Sequence, residues 1–172
     1  MKKFILLLAA ALAASTAFAQ TELPPPLQIS ASAKLMNSIH ESENALLLGP
    51  QVEFRYRESL GEHPRVHLVA GVYAATLFNL RHWDSPDTQA GLKAGIGLET
   101  GKILTLLPFI DVNFTFLPDI LYAKPGTGIE AQFTITRDLS LFAAGEIYYK
   151  TKMASRGLHI EPALTLGLNI NL

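Results

Sequence analysis

From residue 27 onward the chain repeats one pattern, an apolar side chain at every second position with small or polar residues between. Period two is the spacing of a strand with two unlike faces, and it recurs in eight segments. Segment 27–36 sets Leu27, Ile29, Ala31, Ala33 and Leu35 against Gln28, Ser30, Ser32 and Lys34. Segment 45–57 sets Leu46, Leu48, Val52, Phe54 and Tyr56 against Gln51, Glu53, Arg55 and Arg57. Segment 65–79 sets Val66, Leu68, Ala70, Val72, Ala74 and Phe78 against Arg65, His67, Gly71 and Tyr73. The same alternation places Gln89, Lys93 and Glu99 on the polar face of 89–99, and Thr105, Asp111 and Asn113 on that of 103–116. Glu130 and Gln132 take it in 127–135, and Ser140, Glu146, Tyr148 and Lys150 in 139–150. The eighth segment, 158–172, ends on LTLGLNINL, so a terminus that would ordinarily fray is expected to be built into a sheet.

The links alternate too. NSIHESEN, LRHWDSPDT, LPDILYAKPG and TKMASRG are long, whereas SLGEHP, TGK and TRD are short. Long loops on one rim, short turns and both ends on the other, and an even strand count are the layout of a bacterial outer-membrane barrel. Ten residues at about 3.3 Å each, tilted by about 45°, cover roughly 23 Å, close to the apolar band such a barrel requires. On the apolar face Phe78, Phe114, Phe116 and Tyr149 fall near the long-loop ends, and Phe54, Tyr56 and Phe133 near the short-turn ends. Two aromatic girdles follow, as expected where amphipathic rings meet the membrane interfaces. The expected fold is all-β: an eight-stranded, antiparallel, up-and-down transmembrane β-barrel.

Composition adds an address. MKKFILLLAAALAASTAFA opens on Lys2 and Lys3, continues through a short apolar run and closes on Ala17-Phe18-Ala19. It reads as a secretory signal peptide over residues 1–19, too short in its apolar part to span a bilayer, leaving residues 20–172 as one barrel domain of a Gram-negative bacterium. LPPP at 23–26 then forms an extended lead-in. The chain has no cysteine, so disulfides contribute nothing in an oxidising compartment. With Lys2 and Lys3 removed from 14 basic residues, 15 acidic residues outnumber the 12 that remain, and nothing in this balance points to nucleic acid.

If the apolar face meets lipid, the polar face lines the interior. Its acids are Glu53, Glu99, Asp111, Glu130, Glu146 and Glu161, and its bases Lys34, Arg55, Arg57, Arg65, Lys93 and Lys150. Buried charge is costly unless paired, so equal numbers predict a salt-bridged plug and no pore. Folding 89–99 and 103–116 about TGK places Lys93 opposite Phe109 and diagonal to Asp111, its expected partner. Gly91, Gly95 and Gly97 share the inner face and leave room for Tyr73, Leu107 and Phe109.

Over the whole length after the leader, the chain resembles the small eight-stranded outer-membrane barrels of the OmpA transmembrane-domain and OmpX type. The terminal octet TLGLNINL is similar to the assembly signal of that class, with Thr165, Gly167, Ile170 and Leu172 in its polar, glycine and two apolar or aromatic places. Both expected aromatic positions are aliphatic here. The resemblance implies a monomer in contact with the lipid bilayer and lipopolysaccharide, delivered by the outer-membrane assembly machinery. It implies a structural or surface-interaction role without cofactor, metal or catalytic residues.

Two other classes compete. Lipid A hydrolases are also small barrels and resemble one another in holding His and Ser on the lipid-facing surface near the long-loop rim. Here His67 and His159 point inward and His40, His63 and His82 lie in links, so the outer wall lacks a base. The RHWDS cluster has fitting residue types but no triad geometry. A soluble lipocalin-like binder would turn the apolar face inward around a ligand. Pro50, Pro108 and Pro162 favour that reading, since each removes a ladder hydrogen bond that lipid cannot replace, unless they mark bulges or strand ends. GIGLETGK misses the phosphate-loop spacing and has no helix after it. His63 and His67, four apart, would align as metal ligands only on a helix.

Overall fold

The computed structural model describes residues 27–40, 43–60, 65–81, 86–100, 103–116, 121–136, 138–151 and 158–172. The signal peptide, the LPPP lead-in, residues 82–85 of the RHWDS cluster, His63 and the tips of several links lie outside these residues. Eight strands follow in order: β1 (Leu27–His40), β2 (Glu43–Ser59), β3 (Val66–Asn79), β4 (Asp87–Glu99), β5 (Leu104–Phe116), β6 (Leu121–Thr134), β7 (Leu139–Thr151) and β8 (Leu158–Asn171). Each pairs antiparallel with its chain neighbours, and β8 pairs with β1 to close the barrel. The expected strand count and meander topology are both present.

Inside and outside follow the alternation. Lys34, Glu53, Arg55, Lys93, Asp111, Glu130, Glu146 and Glu161 are buried in the lumen. Leu68, Leu92, Ile110, Ile129, Leu141, Leu164 and Leu168 are exposed on the outer wall, with Ile110 at 68% and Ile129 at 62%. This is the arrangement expected of a transmembrane barrel and the reverse of the lipocalin-like alternative, which would turn the apolar face inward. The seven outward aromatic rings hold the positions the pattern gave them, and the band between is aliphatic.

The links differ from the expected asymmetry. One rim carries residues 41–42, 80–86, 117–120 and 152–157; the other, here the terminal rim, carries 60–65, 100–103 and 135–138 with the two ends of the sheet. The strands run on through much of what looked like loop, because the period-two pattern continues there at lower hydrophobicity. Tyr122, Lys124 and Gly126, read as link residues, belong to β6.

Strand prolines are accommodated by interrupting one ladder and keeping the other. Pro50 pairs with Ala33 on β1, while the β2–β3 ladder skips from Leu48 with Phe78 to Gln51 with Ala75. Pro108 pairs with Ile129 on β6, while the β4–β5 ladder skips from Gly95 with Phe109 to Leu98 with Leu106. Pro125 and Pro162 sit beside the ends of the β6–β7 and β1–β8 ladders. All four rings face outward, so the missing N–H falls where no ladder partner is paired.

Two apolar clusters flank the charged lumen. Met36, Leu47, Ala75, Leu77 and Ala163 pack towards the loop rim, and Val69, Leu107, Phe109 and Ala144 towards the terminal rim. Small residues make this packing possible: a Cβ on Gly91 would stand 2.3 Å from the Tyr73 ring, and one on Gly95 would stand 2.8 Å from Phe109 Cβ.

Candidate functional site

The lumen charges form four groups along the barrel. Centrally, Arg55 on β2 donates to both oxygens of Glu130 on β6, at 2.5 and 2.8 Å, and to Glu53 Oε2 at 2.8 Å. Lys93 on β4 lies 3.3 Å from Glu53 and 3.6 Å from Glu130. Lys93 also stacks over Phe109, and Arg55 over Phe142. Two cations thus meet two anions, and each charge has the partner that a buried ion needs.

Towards the loop rim, Lys34 on β1 donates to Glu146 Oε2 and to the Tyr148 hydroxyl, each at 2.6 Å. That hydroxyl lies 2.5 Å from Glu146 Oε2 and 2.8 Å from Asp111 Oδ2. Tyr73 donates to the same Asp111 oxygen at 3.0 Å, and Asn113 links the Tyr73 hydroxyl to Gln89. Beyond this group, Glu161 accepts from Lys124 at 2.6 Å and from Ser38 at 2.9 Å, with Lys150 Nζ at 3.9 Å.

At the terminal rim, Glu99 pairs with Arg57 and lies 2.8 Å from His67 Nε2, whose Nδ1 is 3.2 Å from Ser59 Oγ. Arg57, Ser59 and His67 border a cavity of about 440 Å³ that Gln28, Asp138, Asn171 and Leu172 also line.

Most residues expected in the lumen are there, with corrections. Arg65 is exposed in the 60–65 link, because β3 begins one residue later; only its carbonyl takes part, accepting from the Glu99 N–H at 2.9 Å. Lys124 supplies a lumen cation that the pattern assigned to a link, hidden by the flanking Pro125 and Gly126; its even spacing from Glu130, which puts both on one face of the strand, was the signal that could have found it. Asp87 is a further buried acid. Lys93 does stand beside Asp111, but directly opposite it, and Phe109 pairs with Gly95. The longer β4–β5 turn shifts the register. Lys93 reaches Glu53 and Glu130, and the expected Lys93–Asp111 bridge gives way to the tyrosine bonds of Asp111.

Within the terminal octet, Thr165 is buried and donates to Glu146 Oε1 at 3.1 Å, and Gly167 packs where a Cβ would stand 2.5 Å from Ser32 Cβ. Ile170 faces outward between Ile29 and Leu139. Leu172 lies one residue past β8 and donates its N–H to the Leu27 carbonyl at 2.8 Å. The greasy end is held in the sheet.

No protein-family model matches the chain, and no curated protein matches it. Solved structures do. Neisserial surface protein A superposes at a TM-score of 0.56 with 13% identity, covering 85% of this chain and 97% of that one. Ail, the attachment invasion locus protein of Yersinia pestis, gives 0.56 with 11% identity, covering 87% and 100%. The N-terminal β-barrel domain of Pseudomonas aeruginosa OprF gives 0.50 with 14% identity, covering 84% and 97%. The chain has the fold of the small eight-stranded outer-membrane barrels of the OmpA and OmpX type. At these identities the likeness speaks for the fold.

Proposed function

We propose that this chain is an exported outer-membrane protein, monomeric and closed to diffusion, with a structural or surface-interaction role. Its outer wall contacts bilayer lipid and lipopolysaccharide, and its terminal octet, Thr165, Gly167, Ile170 and Leu172, addresses the assembly machinery. The supporting observation is the central lumen group: Arg55 is 0% exposed and joins Glu53 and Glu130 across the interior. An eight-stranded barrel leaves space that side chains can fill, and here ion pairs and two apolar clusters fill it. An outer wall carrying Leu68, Leu92, Ile110, Ile129, Leu141, Leu164 and Leu168 exceeds the apolar patch a soluble monomer tolerates.

His67 and His159 stand at inward positions of β3 and β8, so the described residues give the lipid-facing wall no histidine base for a surface-type lipid A hydrolase. Planar-bilayer recording of the refolded barrel tests the closed lumen. Silent membranes are expected, and stable unitary currents from heat-modifiable protein would overturn it.

A further inference from the structure

The terminal-rim cavity holds a second kind of chemistry. Ser59 ends β2 and pairs directly with His67 near the start of β3, and His67 is 5% exposed whereas Ser59 is open to solvent. With Glu99 accepting from His67 Nε2 at 2.8 Å, the proton of a neutral imidazole sits on Nε2. Nδ1 is then a lone pair, 3.2 Å from Ser59 Oγ and placed to accept its hydrogen. Arg57 pairs with Glu99 and fixes its carboxylate. A hydroxyl facing solvent, a sheltered base and an acid that sets the tautomer are the three parts of an activated nucleophile.

The surroundings suit a small acyl substrate. Beside Ser59 and His67, the cavity of about 440 Å³ is lined by Gln28, Arg57, Asp138, Asn171 and Leu172. It therefore sets polar residues and one apolar contact, Leu172, beside the Ser59 hydroxyl, within the usual size of a ligand site. Ser59 is exposed and carries no charge, so the ion pairs of the lumen are complete without its hydroxyl.

We propose that Ser59 and His67, positioned by Glu99, form a nucleophilic site for small carboxylic esters at the terminal rim. Ser59 Oγ bonds to the carbonyl carbon while its proton passes to His67 Nδ1. The carbon–oxygen bond to the alcohol breaks, and the alcohol leaves with that proton. Water then adds to the acyl-serine and gives a proton to His67. The bond to Oγ breaks, Ser59 recovers the proton, and the carboxylic acid departs.

The test uses the signal-free barrel refolded in detergent, with a fluorophosphonate probe and p-nitrophenyl butyrate. Peptide mapping is expected to place the probe on Ser59, and S59A is expected to lose both labelling and ester turnover. H67A is expected to label about 100-fold more slowly or worse, with recovery on adding imidazole. H67Q replaces it if H67A does not migrate as a folded barrel. For the positioning residue, E99D is expected to retain labelling that E99A loses. An unlabelled Ser59 in heat-modifiable protein would overturn the proposal, as would equal labelling in the His67 variant or unchanged turnover in S59A.

Discussion

Arg55 and Glu130 join opposite walls of the barrel, β2 to β6, through two hydrogen bonds of 2.5 and 2.8 Å. A contact of this kind does not depend on neighbouring strands. It forms only when the whole sheet has closed, so it fixes the cross-section of the barrel as well as neutralising charge.

Truncating Arg55 to Ala leaves Glu53 with only Lys93, and Glu130 with Lys93 and the Gln132 amide. Loss of one partner of a buried pair costs about 3–5 kcal/mol. R55A is expected to unfold at clearly lower urea concentration in lipid vesicles, read by the loss of the fast-migrating gel band. Replacing Arg55 and Glu130 together by Met and Gln is expected to cost less than R55A alone.

Lys93 and Asp111 are opposite in the ladder yet bonded to different partners. A double-mutant cycle on unfolding free energies is therefore expected to give a larger coupling for Lys93 with Glu53 than for Lys93 with Asp111. D111A itself is expected to destabilise by about 1–3 kcal/mol because the buried Tyr73 hydroxyl loses its carboxylate acceptor, whereas the Tyr148 hydroxyl keeps Glu146.

Gly91 carries the Tyr73 ring against its backbone, with 2.3 Å to a would-be Cβ. Tyr73 is 4% exposed and cannot swing away freely. G91A is expected to cost about 1–3 kcal/mol by overpacking, and G91A with Y73L is expected to regain most of it in the same urea titration.

Leu168 faces outward between Ala31 and Leu141. Arginine there places a charge on the lipid face at a cost of about 2–4 kcal/mol near the midplane. L168R is expected to fail in assembly, scored by the absence of a heat-modifiable form in membrane fractions. Normal insertion would remove the basis for the assigned orientation.

The sheet was legible because a barrel with one dry and one wet face writes its geometry into every second residue. Arg55, Lys34 and Glu146 could be placed inside by parity alone. Their partners could not, since Arg55 meets Glu130 across the lumen, and no local rule connects β2 to β6. Lys124 was lost where Pro125 and two nearby glycines imitate a loop. The prolines looked incompatible with a membrane strand because sequence does not reveal which of two ladders is interrupted. Ser59, His67 and Glu99 carried no recognisable motif, being brought together by pairing between β2, β3 and β4.

The closing seam shows what a single ring can redirect. Backbone pairing between β1 and β8 stops at Met36 with Ala163, next to Pro162, short of the loop rim. One step further on, the Ser38 hydroxyl reaches Glu161 at 2.9 Å. The last stretch of the wall is stitched by a side chain that Lys124 also anchors, so the cylinder's final join borrows its strength from the ions it encloses.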